Sequence, residues 1–131
     1  MSILGSFKNM MSGSSPELPE QWYVPESPVE IDQLFNSENN ELVILYKHSY
    51  RCSVCNFSKS RVEANIEEQS QKARFVFIDV IKNRSVSDRI AELSGISHQS
   101  PQLLIVQNGR VIQHASHGEI SSDMIAETVA E

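Results

Sequence analysis

The only two cysteines of this 131-residue chain stand two residues apart, in the run Cys52-Ser53-Val54-Cys55. A thiol acts as a nucleophile in proportion to its thiolate fraction, and unpaired N–H groups at a helix N-terminus raise that fraction for a cysteine placed there. A second cysteine three residues on lies near the same helical face. It can attack a mixed disulfide formed on the first and release what was bound. His48 and Arg51 are close enough in sequence to be candidate partners of the Cys52 thiolate. The pattern points to thiol–disulfide exchange, with Cys52 attacking and Cys55 resolving.

Two other readings use the same residues. Zinc could take Cys52 and Cys55 together with His48 and His98, or with His114 and His117. A structural zinc site wants four ligands, however, and no second Cys-x-x-Cys supplies them; the expected metal set is none. Alternatively the cysteines are inert, and the chain is a binding module that recognises partners along an edge at Pro101. The Ser100-Pro101 pair precedes an apolar run, where proline commonly opens a strand. A cis bond there would bring the Ser100 backbone beside the cysteines, ready to pair with an extended substrate. His114 and His117 read either as solvated strand-end residues or as a border of the cysteine loop that helps to bind a charged thiol.

The elements that must position these residues can be traced along the chain. Residues 12–25 are rich in Ser, Gly, Pro and Glu and read as part of a mobile leader, residues 1–21, that meets the domain at Trp22. Ser27-Pro28-Val29-Glu30 is a capping box with proline at the first helical position, and the helix it opens, to about Ser37, should bury Ile31, Leu34 and Phe35. Leu42 to Tyr46 is an apolar, β-branched run of strand length, as expected of a central strand covered on both faces. It feeds directly into the loop before Cys52. Cys55, Val62 and Ile66 then recur at helical spacing, predicting a helix to Gln69.

Arg74 to Val80 reads as a second buried strand, followed by a helix capped at Ser85 or Ser87, running through Ile90, Ala91 and Leu93 and closed by Gly95. Leu103–Val106, Asn108-Gly109 and Val111–Ala115 predict a β-hairpin, and Ser121–Val129 a closing helix with Met124, Ile125 and Val129 apolar. After the first helix the order is βαβαββα. The expected fold class is α/β, a mixed central sheet flanked by helices on both faces, in one domain spanning 22–131.

Composition removes several function classes. With 40% hydrophobic and 21% charged residues the chain is an ordinary globular one, long enough to form a core without staples. The net charge of -6, from 11 Lys plus Arg against 17 Asp plus Glu, argues against nucleic acid and anionic membrane as partners. Gly, Ser and Lys interrupt the opening residues Met1–Lys8 before a signal core or membrane span accumulates, so the expected location is the cytoplasm. In a reducing compartment a close cysteine pair serves catalysis or metal binding more often than stapling.

The chain resembles the thioredoxin superfamily from about Trp22 onward: a buried strand, Cys52-x-x-Cys55 at a helix start, Asp79 ending the next strand, Pro101, and Asn108-Gly109. More narrowly it resembles the bacillithiol-linked monothiol bacilliredoxin family of general stress proteins, through Lys47-His48-Ser49, Arg51-Cys52-Ser53, His98-Gln99-Ser100-Pro101-Gln102 and Ala115-Ser116-His117. The resemblance implies a thioredoxin-like fold, Pro101 as cis-proline, and Cys52 attacking a protein–bacillithiol mixed disulfide. It also implies oxidised or thiolated client proteins as partners, no bound cofactor, and a low-molecular-weight thiol, bacillithiol or glutathione-like, as co-substrate. Two departures matter. Cys55 stands where the bacilliredoxin pattern carries serine, which would allow a dithiol mechanism. Against ordinary thioredoxins, Arg51 replaces the aromatic residue before the first cysteine, Ser53-Val54 replaces Gly-Pro, and Tyr46 replaces the buried acid of the central strand.

Overall fold

The structure, a computed structural model, describes residues 18–130. Ser27 opens the first helix as expected: Glu30 reaches back to the Ser27 N–H at 3.2 Å, closing the capping box ahead of α1 (Pro28–Phe35). Ile31, Leu34 and Phe35 are buried on one face of this helix. The turn behind it uses Asn39 and Asn40 at φ 66° and 61°, a left-handed conformation that asparagine accepts more readily than most residues.

β2 (Leu42–His48) runs two residues beyond the apolar stretch that predicts it. It pairs in parallel with β3 (Ala73–Asp79) and antiparallel with β4 (Gln102–Gln107), so it lies inside the sheet. Tyr23 and the buried Trp22 form a short β1 that joins the outer edge of β3; the sequence pattern does not predict it, because two residues carry no periodicity. β4 returns through Asn108 and Gly109, at φ 52° and 79°, to β5 (Arg110–Ser116). Two successive positive φ values are what a type I′ hairpin turn requires. Among the described residues the strands form one mixed sheet of order β1-β3-β2-β4-β5.

Helices cover both faces of this sheet. On one side α2 (Ser53–Glu63), α3 (Ile66–Gln69) and α5 (Ser122–Ala130) pack over Ile44, Tyr46, Phe75, Phe77, Leu103 and Ile105. On the other, α1 and α4 (Arg84–Ser94) pack over Val43, Leu45, Val76, Ile78, Leu104 and Val106. Each large aliphatic side chain buried in these layers contributes about 1.5–3 kcal/mol relative to exposure. Leu18 packs against the first layer; the rest of the expected leader, up to residue 17, lies outside the described residues.

The structure corrects two helix boundaries. The expected single helix to Gln69 is broken after Glu63, where Asn65 takes φ -127° and ψ 26° and starts α3 afresh. Asparagine competes with the helix ladder through its own amide, and the break still lets Ile66 and Gln69 turn inward. The next helix is capped by Asn83, not by Ser85 or Ser87, which sit inside it, Ser87 buried. At its other end Gly95 closes it with φ 73°, as expected. A Cβ at Gly95 would meet nothing within 4 Å, so only backbone conformation opposes a side chain there. Gly95→Ala should therefore destabilise the chain by about 1–2 kcal/mol, read as a lower urea midpoint at unchanged slope.

Candidate active site

The cysteine loop grows from the C-terminal end of β2. The Val80 N–H donates to the His48 carbonyl at 2.9 Å and the Cys52 N–H to the Ser49 carbonyl at 3.2 Å, so the loop turns tightly. Cys52 has extended backbone angles and is the N-cap of α2. Cys52 is partly exposed and Cys55 fully buried, and both are free thiols. The Cys55 thiol, together with the N–H groups of Cys55 and Val54, favours negative charge on Cys52 and lowers its pKa from the usual thiol value, against a smaller effect of burial. Burial, aided by the neighbouring Cys52, pushes the Cys55 thiol up to about 11, although the Ser49 backbone works against the rise. The two sulfurs thus differ in exposure and in the direction in which their pKa is moved.

Pro101 shares this end of the sheet. Gln102 pairs with Lys47, which sets Ser100 and Pro101 alongside the His48–Ser49 end of β2. The Ser100-Pro101 bond is cis, and Pro101 is buried. Its carbonyl accepts the His117 N–H at 3.0 Å, bringing the short 3-10 turn His117–Glu119 to the same end. His117 is exposed, with φ 55°. His114 is placed elsewhere: it pairs with Leu104, on the face covered by α1 and α4, whereas Tyr46 and the cysteine helix belong to the other face.

The two expected thiolate partners stand differently from their sequence neighbourhood. Arg51 is exposed, and its side chain makes no ion pair or hydrogen bond among the described residues. His48 is fully buried, with Nδ1 3.0 Å from the Tyr46 hydroxyl, and burial takes its pKa down to about 4, so it is neutral near pH 7. Neither is among the groups that lower the Cys52 pKa. The histidines of the zinc reading are also dispersed. His98 Nδ1 lies 3.3 Å from Lys47 Nζ and 3.2 Å from Ser87 Oγ, on the α4 side of the sheet. Among the described residues no group of three or more His, Cys, Asp and Glu side chains is placed to hold a metal ion.

Sequence reasoning missed the polar residues buried beneath the site. Tyr46 donates its hydroxyl to the Cys55 carbonyl at 3.0 Å. Lys47 is fully buried on the opposite face, near Gln102 across the strand pair, and its pKa falls to about 8 through burial, with Asp88 opposing. Alternation along β2 could have flagged both, since the strand continues past Tyr46 and its side chains point to alternate faces.

A mixed parallel and antiparallel sheet, helices on both faces, a Cys-x-x-Cys at the first helix after the central strand and a cis-proline at the neighbouring strand start define the thioredoxin fold. Solved structures agree. A protein of thioredoxin fold superposes with TM-score 0.70 at 23% identity, over 84% of this chain and 94% of its own. The thioredoxin of Malassezia sympodialis gives TM-score 0.65 at 15% identity over 89% and 96%, and that of Nicotiana alata 0.65 at 18% over 89% and 96%. The family of monothiol bacilliredoxin BrxC matches residues 26–125, and the chain belongs to that family. Its role is accordingly one of thiol redox chemistry. No described helix is long and apolar enough to cross a membrane.

Two measurements check the electrostatics. Because the Cys55 thiol is the largest influence lowering the Cys52 pKa, Cys55→Ala should move the pH midpoint of Cys52 alkylation upward, while Cys55→Ser, which keeps a donor, should move it less; equal midpoints in all three proteins would contradict this. For Lys47 the folded pKa, about 8, lies below the usual 10.5, so between these values the unfolded chain binds more protons. Its burial penalty is constant below pH 8 and fades as pH rises. Wild type should therefore gain stability relative to Lys47→Met between pH 7 and 10, by urea unfolding.

Proposed function

We propose that the chain is a thiol–disulfide oxidoreductase that reduces protein disulfides and the mixed disulfides of client proteins with a low-molecular-weight thiol of the bacillithiol or glutathione kind. The observation that carries the reading is the pairing of a partly exposed N-cap thiol of lowered pKa with a buried thiol one helical turn behind it. Membership of the bacilliredoxin family supports the choice of mixed disulfide. Tyr50, Val54 and Phe57, exposed large apolar residues on the cysteine loop and helix, support a protein client as one of the two leaving partners.

The chemistry runs in two exchanges. The Cys52 thiolate attacks the sulfur of the small thiol in the mixed disulfide; a new S–S bond joins it to Cys52, and the client leaves as thiolate and takes up a proton. Cys55 then loses its proton and attacks Cys52 Sγ, forming the Cys52–Cys55 disulfide and releasing the small thiol. An external thiol reductant returns this disulfide to two thiols, supplying two electrons and two protons. Cys55 stays protonated while Cys52 carries its charge, and that charge leaves with the client thiolate when the adduct forms. Such a cycle needs a reducing compartment, which supports the cytoplasm as its place of work.

Turnover of bacillithiolated, glutathionylated and plain disulfide proteins with a chemical reductant tests the reading and ranks the substrates. Cys52→Ser should abolish reduction of all of them, and Cys55→Ser should accumulate a small-thiol adduct on Cys52, visible by mass spectrometry and discharged only by added thiol. An adduct on Cys55 in Cys52→Ser would reverse the roles. Inert cysteines in the wild type would leave a binding module.

A further inference from the structure

The Tyr46 hydroxyl lies 3.0 Å from two groups, the Cys55 carbonyl and His48 Nδ1. It is buried completely, so water cannot substitute for either. A phenol carries one proton, and a carbonyl oxygen can only accept. If that proton were on the His48 contact, the phenol oxygen would face the Cys55 oxygen at 3.0 Å with no hydrogen between them, which is repulsive. Both contacts are attractive in one arrangement: Tyr46 donates to Cys55, and His48 donates Nδ1–H to the phenol oxygen. His48 is then the neutral tautomer with a bare Nε2.

A second observation agrees with that assignment. His48 Nε2 is buried and has no hydrogen-bond partner among the described residues. The ring is packed against Tyr50 and Phe77, with centroids 4.5 and 5.4 Å away. A buried N–H left unpaired is rarer and more costly than an unpaired acceptor, so the free nitrogen is the one without a proton. Lys59, Asp79 and Glu63 are the charged groups whose fields reach the ring, and none hydrogen-bonds to it.

We propose that His48 locks the Tyr46 hydroxyl onto the Cys55 carbonyl, making the two residues a positioning pair that holds Cys55 behind Cys52 for the second exchange. The proposal rests on the dithiol reading above. Among the described residues neither side chain is hydrogen-bonded to a sulfur atom; the pair acts through the Cys55 peptide. Tyr46 stands on β2 between β3 and β4, and His48, the last residue of that strand, pairs with Asp79 of β3, so the carbonyl is tied to the sheet. Cys52 instead depends on the Ser49 carbonyl and its own N-cap position. The pair should therefore govern attack by Cys55 directly and reach attack by Cys52 only through the Cys55 thiol that lowers the Cys52 pKa. Small displacements of a nucleophile can cost about 100-fold in rate.

Two experiments on the full chain test this. In the reduced wild type, nitrogen-15 NMR of His48 should show Nδ1 protonated and Nε2 bare; an Nε2–H tautomer overturns the proposal whatever the kinetics. The two exchanges are then timed separately with glutathione disulfide as probe. Adduct formation on Cys52 is followed in a Cys55→Ser background, and glutathione release by Cys55 in its presence. Compared at equal Cys52 thiolate fraction, Tyr46→Phe should leave adduct formation within about twofold and slow release about tenfold or more. His48→Phe should slow release less, and the double variant no more than Tyr46→Phe alone, because His48 acts through Tyr46. Equal slowing of both steps, or independent losses that multiply, would make the residues merely structural and overturn the pair. Absence of any Cys52 adduct would defeat the proposed function instead, and the tautomer would still decide the pair.

Discussion

The chemistry depends on one constraint: a helix N-terminus must rest on the end of a strand that is buried on both faces. β2 has paired neighbours along both edges and helical layers above and below, so its end is fixed in space. The four residues after His48 have no freedom to wander, because backbone hydrogen bonds at Ser49 and Val80 close the turn at once. Cys52 consequently lands at the N-cap and Cys55 one turn deeper. The difference in exposure between two thiols three residues apart, and with it the difference in their pKa directions, follows from that placement and needs no charged partner.

The same strand end bears a cost that its apolar half does not. Tyr46, Lys47 and His48 are all fully buried, and alternation sends Tyr46 and His48 under the cysteine helix and Lys47 to the α4 side. None has a carboxylate partner within salt-bridge distance among the described residues. Lys47 meets a neutral histidine, Gln102 leaves its amide oxygen unpaired, and His48 leaves one nitrogen unpaired. Buried polar groups satisfied in part weaken a fold locally. Here His48, Lys47 and Gln102 lie within a few residues of Cys52 and Pro101, where geometry matters for exchange, while the buried Gln69, whose amide oxygen is also unpaired, lies before the start of β3 at the other end of the sheet.

What the sequence makes legible is whatever local chemistry decides. The capping box at Ser27, the type I′ turn at Asn108-Gly109 and the C-cap at Gly95 each rest on a few neighbouring residues, and each stands where those residues predict. The cysteine pair is legible for the same reason, as a strand-to-helix junction. Trp22-Tyr23 becomes a strand only because β3 has an open edge, and Asn65 breaks a periodic pattern that its apolar neighbours carry straight through. His48 shows the limit most plainly. Nearness in sequence to Cys52 suggests a thiolate partner, but strand alternation turns its ring under the helix to Tyr46, and His114 is turned to the wrong face by the same rule.

The family is that of a monothiol bacilliredoxin, yet this chain carries a second cysteine in the first turn of the helix. The geometry reconciles the two. A serine at position 55 would present a hydroxyl to the Cys52 sulfur from the same buried place, and a hydroxyl hydrogen bond to a thiolate lowers its pKa as a thiol does. Cysteine keeps that donor function in the resting state, because burial holds it protonated. In the proposed cycle it adds a nucleophile only after Cys52 has become a neutral disulfide sulfur, when the field that helps keep Cys55 protonated disappears. The first exchange can therefore be common to the monothiol pattern and to this chain. On the proposed reading the departure is confined to what happens to the adduct, and so to the residues that hold the Cys55 peptide in place.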